Sequence, residues 1–308
     1  MKKNEYTRKE FLKFISSSAI ALGLSKFLSA KDFLSEETIA KKPAVIWLEA
    51  QDCAGCTESI FASLNPDLRD VLVDTIALRY HETVMSGTGH KSEEALTAAI
   101  DGGDYILVVE GAIPFADPRF LTVAGVSVEE TFVNAARKAG VILAVGACSA
   151  FGGIPKAGIT DGQSVEAVLN KYSINKTFFN LPGCPAHPAW FFDTVNDLLK
   201  NKSISVDIYK RPLKHFGTKL HRLCPRKQSN KGRKFLTDWN DPAQENYCLE
   251  EKGCKGKYTF ADCARIKWND GVNWCIGNNA PCAGCTEPGF YENFSPLFKK
   301  KCKWQGGR

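Results

Sequence analysis

Two groups of cysteines are the residues of this chain best suited to chemistry. The sequence of 308 residues contains 12 cysteines, widely spaced at first and crowded in the last third. The spaced group is Cys53, Cys56, Cys148 and Cys184, and the crowded group is Cys224, Cys248, Cys254, Cys263, Cys275, Cys282, Cys285 and Cys302. Thiolates that converge from distant points of a chain are typical ligands of iron–sulfur clusters. Disulfide bonding is the main alternative, because the N-terminus has features of an export signal.

The spaced group consists of a C-x-x-C turn and two single cysteines in glycine- and proline-rich turns. Cys53 and Cys56 supply two thiolates from one turn, and Gly55 between them lets the backbone approach an inorganic core. Cys148 and Cys184 lie in similarly tight turns. The four together predict a cubane cluster on one concave surface. A thioredoxin-like redox pair and a zinc site stay open as alternatives.

The crowded group begins with an imidazole beside a thiolate. His221 and Cys224 form an H-x-x-C motif, which places both side chains within reach of one metal centre. Neutral imidazole in place of thiolate makes an iron–sulfur cluster less anionic and tends to raise its potential. On spacing alone, a zinc site fits this motif equally well. A second C-x-x-C follows at Cys282 and Cys285.

Alternating strands and helices position the spaced cysteines. Apolar, β-branched runs predict strands at Ala44–Leu48, Val71–Leu78, Tyr105–Val109, Val141–Val145 and Thr177–Asn180. Helical patterns between and after them cover Cys56–Leu64, Ser92–Ile100, Val128–Ala139, Ser164–Asn170 and Pro188–Leu199. This alternation predicts an α/β fold, a flavodoxin-like doubly wound parallel sheet. The spaced cysteines all lie just past the carboxyl end of a strand, the edge at which such sheets bind cofactors.

The remainder of the chain is loop-rich. Residues 205–308 contain few apolar runs, many Gly, Asn, Lys and Trp, and eight of the cysteines. Such a segment has little core of its own, and bound metal would supply the missing stabilisation. The sequence therefore predicts a loop-rich iron–sulfur domain after the α/β domain.

Residues 1–40 are predicted to be a signal peptide of the twin-arginine type. A basic start with Arg8 and Lys9 precedes a mildly apolar run rich in small residues, and Lys9 stands where the second arginine is usual. An ordinary amphipathic helix is the alternative. No later stretch reaches the roughly 18 apolar residues of a membrane span, so we expect no C-terminal membrane anchor. We also expect no nucleic-acid binding, because no reading motif is present.

Two further motifs carry a family resemblance. With the cysteine turns, the segments Tyr80–Met85 and Glu110–Pro114 make the chain resemble the small subunit of nickel–iron hydrogenases, over nearly the whole mature chain. The resemblance implies an electron-transfer subunit of a heterodimer that catalyses H2 to two protons and two electrons, reversibly. The nickel–iron centre would belong to the large-subunit partner. The expected location is the periplasm.

The resemblance also implies three [4Fe–4S] clusters and their ligands. The proximal cluster, in a domain of residues 41–204, would be held by Cys53, Cys56, Cys148 and Cys184. The other two would lie in residues 205–308: the medial cluster on Cys263, Cys275, Cys282 and Cys285, and the distal cluster on His221, Cys224, Cys248 and Cys254. Many family members have proline in place of Cys275 and a three-iron medial cluster, so Cys275 indicates the nickel–iron–selenium branch. A three-iron medial cluster is the alternative, and Cys302 receives no role.

A basic stretch surrounds the predicted distal site. No Asp or Glu interrupts residues 208–237, which contain Lys210, Arg211, Lys214, Lys219, Arg222, Arg226, Lys227, Lys231, Arg233 and Lys234. These cations either compensate an anionic cluster or form a docking face for an acidic electron carrier. The expected soluble partner is a c-type cytochrome or another electron carrier. Two other classes stay open: a non-hydrogenase iron–sulfur carrier or sensor with this fold, and a disulfide-bonded secreted binding protein.

Overall fold

A five-stranded parallel sheet forms the centre of the α/β part, in a computed structural model that describes residues 42–67, 70 and 75–291. The strands of the sheet, in chain order, are β1 (Ala44–Glu49), β2 (Ala77–His81), β3 (Ile106–Glu110), β7 (Val141–Val145) and β9 (Phe178–Leu181). Their spatial order is β2-β1-β3-β7-β9, and each neighbouring pair is parallel. This is the flavodoxin-like strand order, so the predicted fold class is confirmed.

Short strand pairs and helices complete the α/β part. The remaining strands are β4 (Ile113–Pro114), β5 (Thr122–Val123), β6 (Val126–Ser127) and β8 (Gly162–Gln163). The helices are α1 (Gly55–Phe61), α2 (His90–Gly102), α3 (Val128–Lys138), α4 (Ala147–Phe151), α5 (Gly153–Lys156), α6 (Val165–Lys171) and α7 (Pro188–Leu199), with a 3-10 turn at Pro118–Phe120. The bounds of β7 and α7 are those predicted. The second strand begins at Ala77 rather than Val71, and residues 71–74 lie outside the described residues.

The sheet is buried on both faces, which explains its continuous apolar runs. Along β1, Ile46 and Leu48 pack on one face against a core that includes Phe132. Val45 and Trp47 point to the other face. Both cores are therefore assembled from alternate residues of the same strands.

The cysteine-rich part contains only short helices in the described residues. They are α8 (Leu213–Phe216), α9 (Leu220–Leu223), α10 (Lys227–Lys231) and α11 (Cys263–Ile266), with 3-10 turns at Pro242–Gln244, Leu249–Lys252 and Ile276–Asn278. A small apolar cluster around Leu220, Trp274 and Ile276 includes the cysteine Cys282. Described residues from 43 onward form one compact unit.

A buried ion pair joins the two ends of the cysteine-rich part. Arg211 Nη1 lies 3.0 Å from Glu287 Oε1 and donates to the Thr286 carbonyl at 2.6 Å. Arg211 Nε also donates to Asp207 at 2.8 Å. A guanidinium buried this deeply requires such partners, and removing one of them typically costs about 3–5 kcal/mol.

The predicted signal peptide lies outside the described residues. Among the described residues, no helix combines the length and apolar character of a membrane span. The domain boundary predicted at residues 204 and 205 stays a prediction.

Candidate metal centres

The carboxyl edge of the sheet gathers the four spaced cysteines. Cys53 lies in the loop after β1, and Cys56 is the second residue of α1. Cys148 is the second residue of α4, directly after β7, and Cys184 follows β9 by three residues. Three of the thiols are close enough to interact. Burial raises the pKa of Cys148 to about 12, and the neighbouring thiols of Cys184 and Cys53 contribute to this rise. Burial, with Cys148 and Cys184 among the further causes, raises the pKa of Cys56 well above its usual value.

Glycines shape the backbone around these thiols. A Cβ on Gly146, whose φ is +93°, would lie 2.6 Å from Cys56 Sγ. A Cβ on Gly153 would lie 2.9 Å from Cys148 Sγ. Such distances are shorter than any allowed contact, so only glycine leaves space beside the sulfur atoms. The backbone N–H of Ala186 donates to Cys56 Sγ at 3.4 Å.

The predicted medial cysteines differ in burial. Cys263 begins α11, Cys275 lies on the surface, and Cys282 and Cys285 flank a turn. Burial, Cys285, Cys282 and Cys275 raise the pKa of the Cys263 thiol well above its usual value. The Cys275 thiol therefore lies close enough to Cys263 to affect its pKa, although Cys275 itself is exposed.

The predicted distal ligands line one cavity. His221, Cys224, Cys248 and Cys254 all contribute to its wall, with Arg226 and five other residues, and its empty volume is about 340 Å³, part of it open to solvent. Burial, with Lys257 the next cause, lowers the pKa of His221. Its imidazole is therefore neutral at pH 7, the form that binds metal.

The three sets of cysteines share walls. Burial raises the pKa of the Cys285 thiol to about 12, and Cys184 is among the residues that act on it, so the first set and the medial set are adjacent. The backbone N–H of Cys282 donates to Cys254 Sγ at 3.4 Å, which connects the medial set to the distal set. The sets thus follow one another from the sheet edge to the His221 cavity.

The spacing of the thiols fits a multi-atom group better than a single ion. Zinc–sulfur bonds of about 2.3 Å place tetrahedral sulfur ligands roughly 3.8 Å apart. Among the described residues, the one group of three potential ligand atoms that all lie within 4.8 Å of one another is acidic and contains no thiol: Glu49, Asp52 and Glu110. In the described residues, no cysteine set therefore has three thiols as close together as the ligands of one zinc ion. None of the eleven described cysteines forms a disulfide, and Cys302 lies outside the described residues.

The cysteine pattern alone does not point to several other residues at these sites. Glu110 ends β3 and accepts from the N-terminal amides of α1 at 2.9 Å. Glu110 is also the first residue of the segment Glu110–Pro114 that carries the family resemblance, and it lies at the switch point of the sheet, where strand order reverses. Arg226 reaches the distal cavity and donates to the Tyr247 carbonyl at 3.1 Å. Burial and Glu110 raise the pKa of Asp52 to about 7, next to Cys53.

Two family models match the chain in succession. Residues 53–198 match the family "NADH ubiquinone oxidoreductase, 20 Kd subunit". Residues 216–298 match the family that represents the C-terminal part of the "NiFe/NiFeSe hydrogenase small subunit". The first match covers four of the five strands of the sheet and the four spaced cysteines, and the second covers the predicted medial and distal ligands.

Individual relatives match over nearly their full length. The periplasmic [NiFeSe] hydrogenase small subunit of Desulfomicrobium baculatum is 34% identical over 314 residues, which cover 95% of this chain and 98% of the relative. The periplasmic [NiFe] hydrogenase small subunit of Solidesulfovibrio fructosivorans is 35% identical, with 96% and 94% covered. The solved structure of the H2-activated D. baculatum [NiFeSe] hydrogenase superposes with a TM-score of 0.78 at 35% identity, covering 84% of this chain and 99% of that one.

Proposed function

Because the chain belongs to the family of nickel–iron hydrogenase small subunits, we propose that it relays electrons between the nickel–iron centre of a large subunit and an external carrier through three [4Fe–4S] clusters. The succession of three cysteine sets supports this relay, since each shares a wall with the next. The reaction served is H2 to two protons and two electrons, in either direction. A disulfide-bonded binding protein would not contain eleven free cysteines in these sets.

Each set would hold one cluster, and each cluster would supply one-electron transfer. The ligands would be Cys53, Cys56, Cys148 and Cys184 for the proximal cluster, Cys263, Cys275, Cys282 and Cys285 for the medial cluster, and His221, Cys224, Cys248 and Cys254 for the distal cluster. The rest of the chain would position these ligand residues and keep water away from them. Cys282 and Cys56 are buried, whereas His221 is half-buried beside a cavity that opens to solvent. The opening beside His221 suits an accessible exit for electrons at the distal set.

The large subunit is the partner that the family implies, and the periplasm is the location that the names of the relatives imply. Export would follow the predicted signal of residues 1–40. Electrons would leave at His221 toward a soluble carrier. Reversibility of the reaction and the identity of that carrier belong to the proposal.

Metal analysis of the co-purified heterodimer tests the proposal. We expect about 12 iron atoms on the small subunit and nickel on its partner. Cys184→Ala should lower the iron content and block reduction of acceptors by H2, whereas the control Cys302→Ala should change neither. A colourless, iron-free preparation would overturn the proposal.

A further inference from the structure

Two cations of the basic stretch have partners inside the protein. Arg211 pairs with Glu287 and Asp207. Arg226 is buried in the wall of the distal cavity, where it donates to the Tyr247 carbonyl and to Asn279. Compensation of buried charge therefore explains these two residues.

The other cations of the stretch face solvent. Lys214 pairs with Asp193 at 2.8 Å. Within the part of the chain that the structure describes, the remaining seven make no ion pair, and six of them are exposed while Lys227 is half-buried. They are Lys210, Lys219, Arg222, Lys227, Lys231, Arg233 and Lys234. Compensation inside the protein does not account for them, because an exposed cation is already solvated by water.

Five of these cations lie close in the chain to residues that line the distal cavity. We call Arg222, Lys227, Lys231, Arg233 and Lys234 the basic rim. Arg222 lies between the proposed ligands His221 and Cys224, and the N–H of Lys227 donates to the Cys224 carbonyl at 3.1 Å.

The rim also borders a third proposed ligand. The carbonyl of Lys234 accepts from the N–H of Cys248 at 3.0 Å. Within α10, Asn230 Nδ2 reaches Cys248 Sγ at 3.3 Å. The backbone of the basic rim therefore contacts two of the cysteines that line the cavity.

Apolar side chains are exposed on both sides of Cys224 in the chain. Leu223 is 37% exposed, and Pro225 next to Cys224 is exposed as well. The acidic residue of the cavity wall, Glu250, is compensated by Lys257 at 2.7 Å and by Asn230 at 2.6 Å. Leu223 therefore offers an exposed apolar side chain next to Arg222, one of the cations without an ion pair in the part of the chain that the structure describes.

We propose that the basic rim and Leu223 form the docking face for a soluble electron carrier with an acidic surface around its redox group. Opposite potentials steer such a carrier to the face and orient it, and the exposed Leu223 side chain allows close contact at the exit. The inference deepens the proposed function, because it rests on electrons leaving at His221. A carrier with lysines around its redox group would be repelled.

Two one-haem acceptors of opposite charge test this face on the heterodimer under H2. The acidic probe is a soluble cytochrome b5 domain, and the basic probe is mitochondrial cytochrome c. Each H2 releases two protons and gives two electrons, which reduce two ferric haems to ferrous. We expect the acidic probe to be reduced faster than the basic probe at low salt. Its reduction should slow as NaCl rises from about 10 mM to about 200 mM, because added salt shortens the Debye length and screens the attraction. Arg222→Glu with Lys227→Glu should slow it about tenfold at low salt.

Controls separate docking from loss of the relay. Arg137→Glu with Lys200→Glu reverses two exposed charges at the C-terminal ends of α3 and α7, at the edge of the sheet opposite the cysteines, and should change nothing. Both double variants should reduce the small dye methyl viologen at the wild-type rate. If neither the unchanged heterodimer nor its variants reduce the dye, the proposed function fails. Carbodiimide cross-linking tests docking independently of electron transfer: the acidic probe should attach to lysines within residues 227–234. Cross-links confined to other lysines, or faster reduction of the basic probe at low salt, would overturn the inference.

Discussion

The carboxylate of Glu110 accepts a hydrogen bond from the backbone N–H of Cys56, with 2.9 Å between Oε1 and the nitrogen. Its other oxygen accepts from the N–H of Thr57 at 2.9 Å and from the Thr57 hydroxyl at 2.6 Å. The end of β3 thus fixes the start of α1, 53 residues earlier, and with it the C-x-x-C turn. Hydrogen bonds to an ionised acceptor are among the strong ones.

Glu110→Gln should weaken this anchor. Burial raises the pKa of Glu110, because it disfavours the charged form of the carboxyl group. A neutral glutamine amide is therefore tolerated better here than it would be in an exposed ion pair. The NH2 group of glutamine, however, cannot accept a hydrogen bond from a backbone N–H. One buried amide loses its partner, at a cost of about 1–3 kcal/mol. The urea midpoint of the heterodimer and its retained iron measure the effect. Glu58→Gln, an exposed change in the same helix, is the control, and equal midpoints for the two variants would contradict the role of Glu110.

Gly146→Ala should displace the thiol of Cys56. The backbone at +93° already disfavours a side chain, and the new Cβ would lie 2.6 Å from Cys56 Sγ. Gly125→Ala isolates the effect of the backbone conformation, because the φ of Gly125 is +82° and nothing lies within 4 Å of the added Cβ. We expect Gly125→Ala to cost about 1–2 kcal/mol of stability with full iron content. Gly146→Ala should lose iron in addition, measured by iron assay and visible absorption; full iron in both variants would show that the Gly146 contact does not matter.

Cys275→Ala should convert the proposed medial cluster to a three-iron form. Cys275 is the exposed member of its set, so its loss leaves three buried or half-buried thiolates in place. We expect about one iron fewer out of roughly 12 and a three-iron EPR signal in the oxidised variant. The unchanged protein should lack that signal, and its presence there would mean that Cys275 is not a ligand.

His215 predicts a pH dependence of stability. Burial lowers the pKa of His215, but the carboxylates of Asp193 and Asp262 outweigh it and raise the pKa overall. His215 Nδ1 lies 3.0 Å from Asp262 Oδ2, and His215 Nε2 lies 3.1 Å from Asp193 Oδ2, so each ring nitrogen forms an ion pair when the imidazole is protonated. Since the folded pKa is raised, the stabilisation is complete below the unfolded value of about 6.5 and is lost as pH rises through the folded value.

The variant His215→Gln measures this stabilisation. The difference in urea midpoint between the unchanged protein and His215→Gln should shrink as pH rises from about 6 to about 9. His90→Gln, at an exposed histidine, should leave the midpoint unchanged over that range. A constant or growing difference for His215→Gln would contradict the raised pKa.

The sequence predicted those features that depend on local pattern or on the geometry of parallel sheets. The bounds of β7 and α7 follow from continuous apolar runs and from Pro188 at the first helical position. The meeting of four cysteines at one edge follows because parallel strands end on the same side. The contacts of Arg226 with Asn279 and of Arg211 with Glu287 span 53 and 76 residues. No local pattern predicts such pairs, since they depend on how loops pack in three dimensions.

The shared walls between the cysteine sets limit how this chain can be altered. Because Cys184 contacts Cys285 and Cys282 contacts Cys254, moving one thiol disturbs the next site along the series. The sites are therefore not exchangeable modules, and replacing the medial loop alone with that of another protein would misplace ligands on both sides of it. An extension of the proposed electron relay toward an electrode is best built outward from the His221 end, where the cavity opens to solvent.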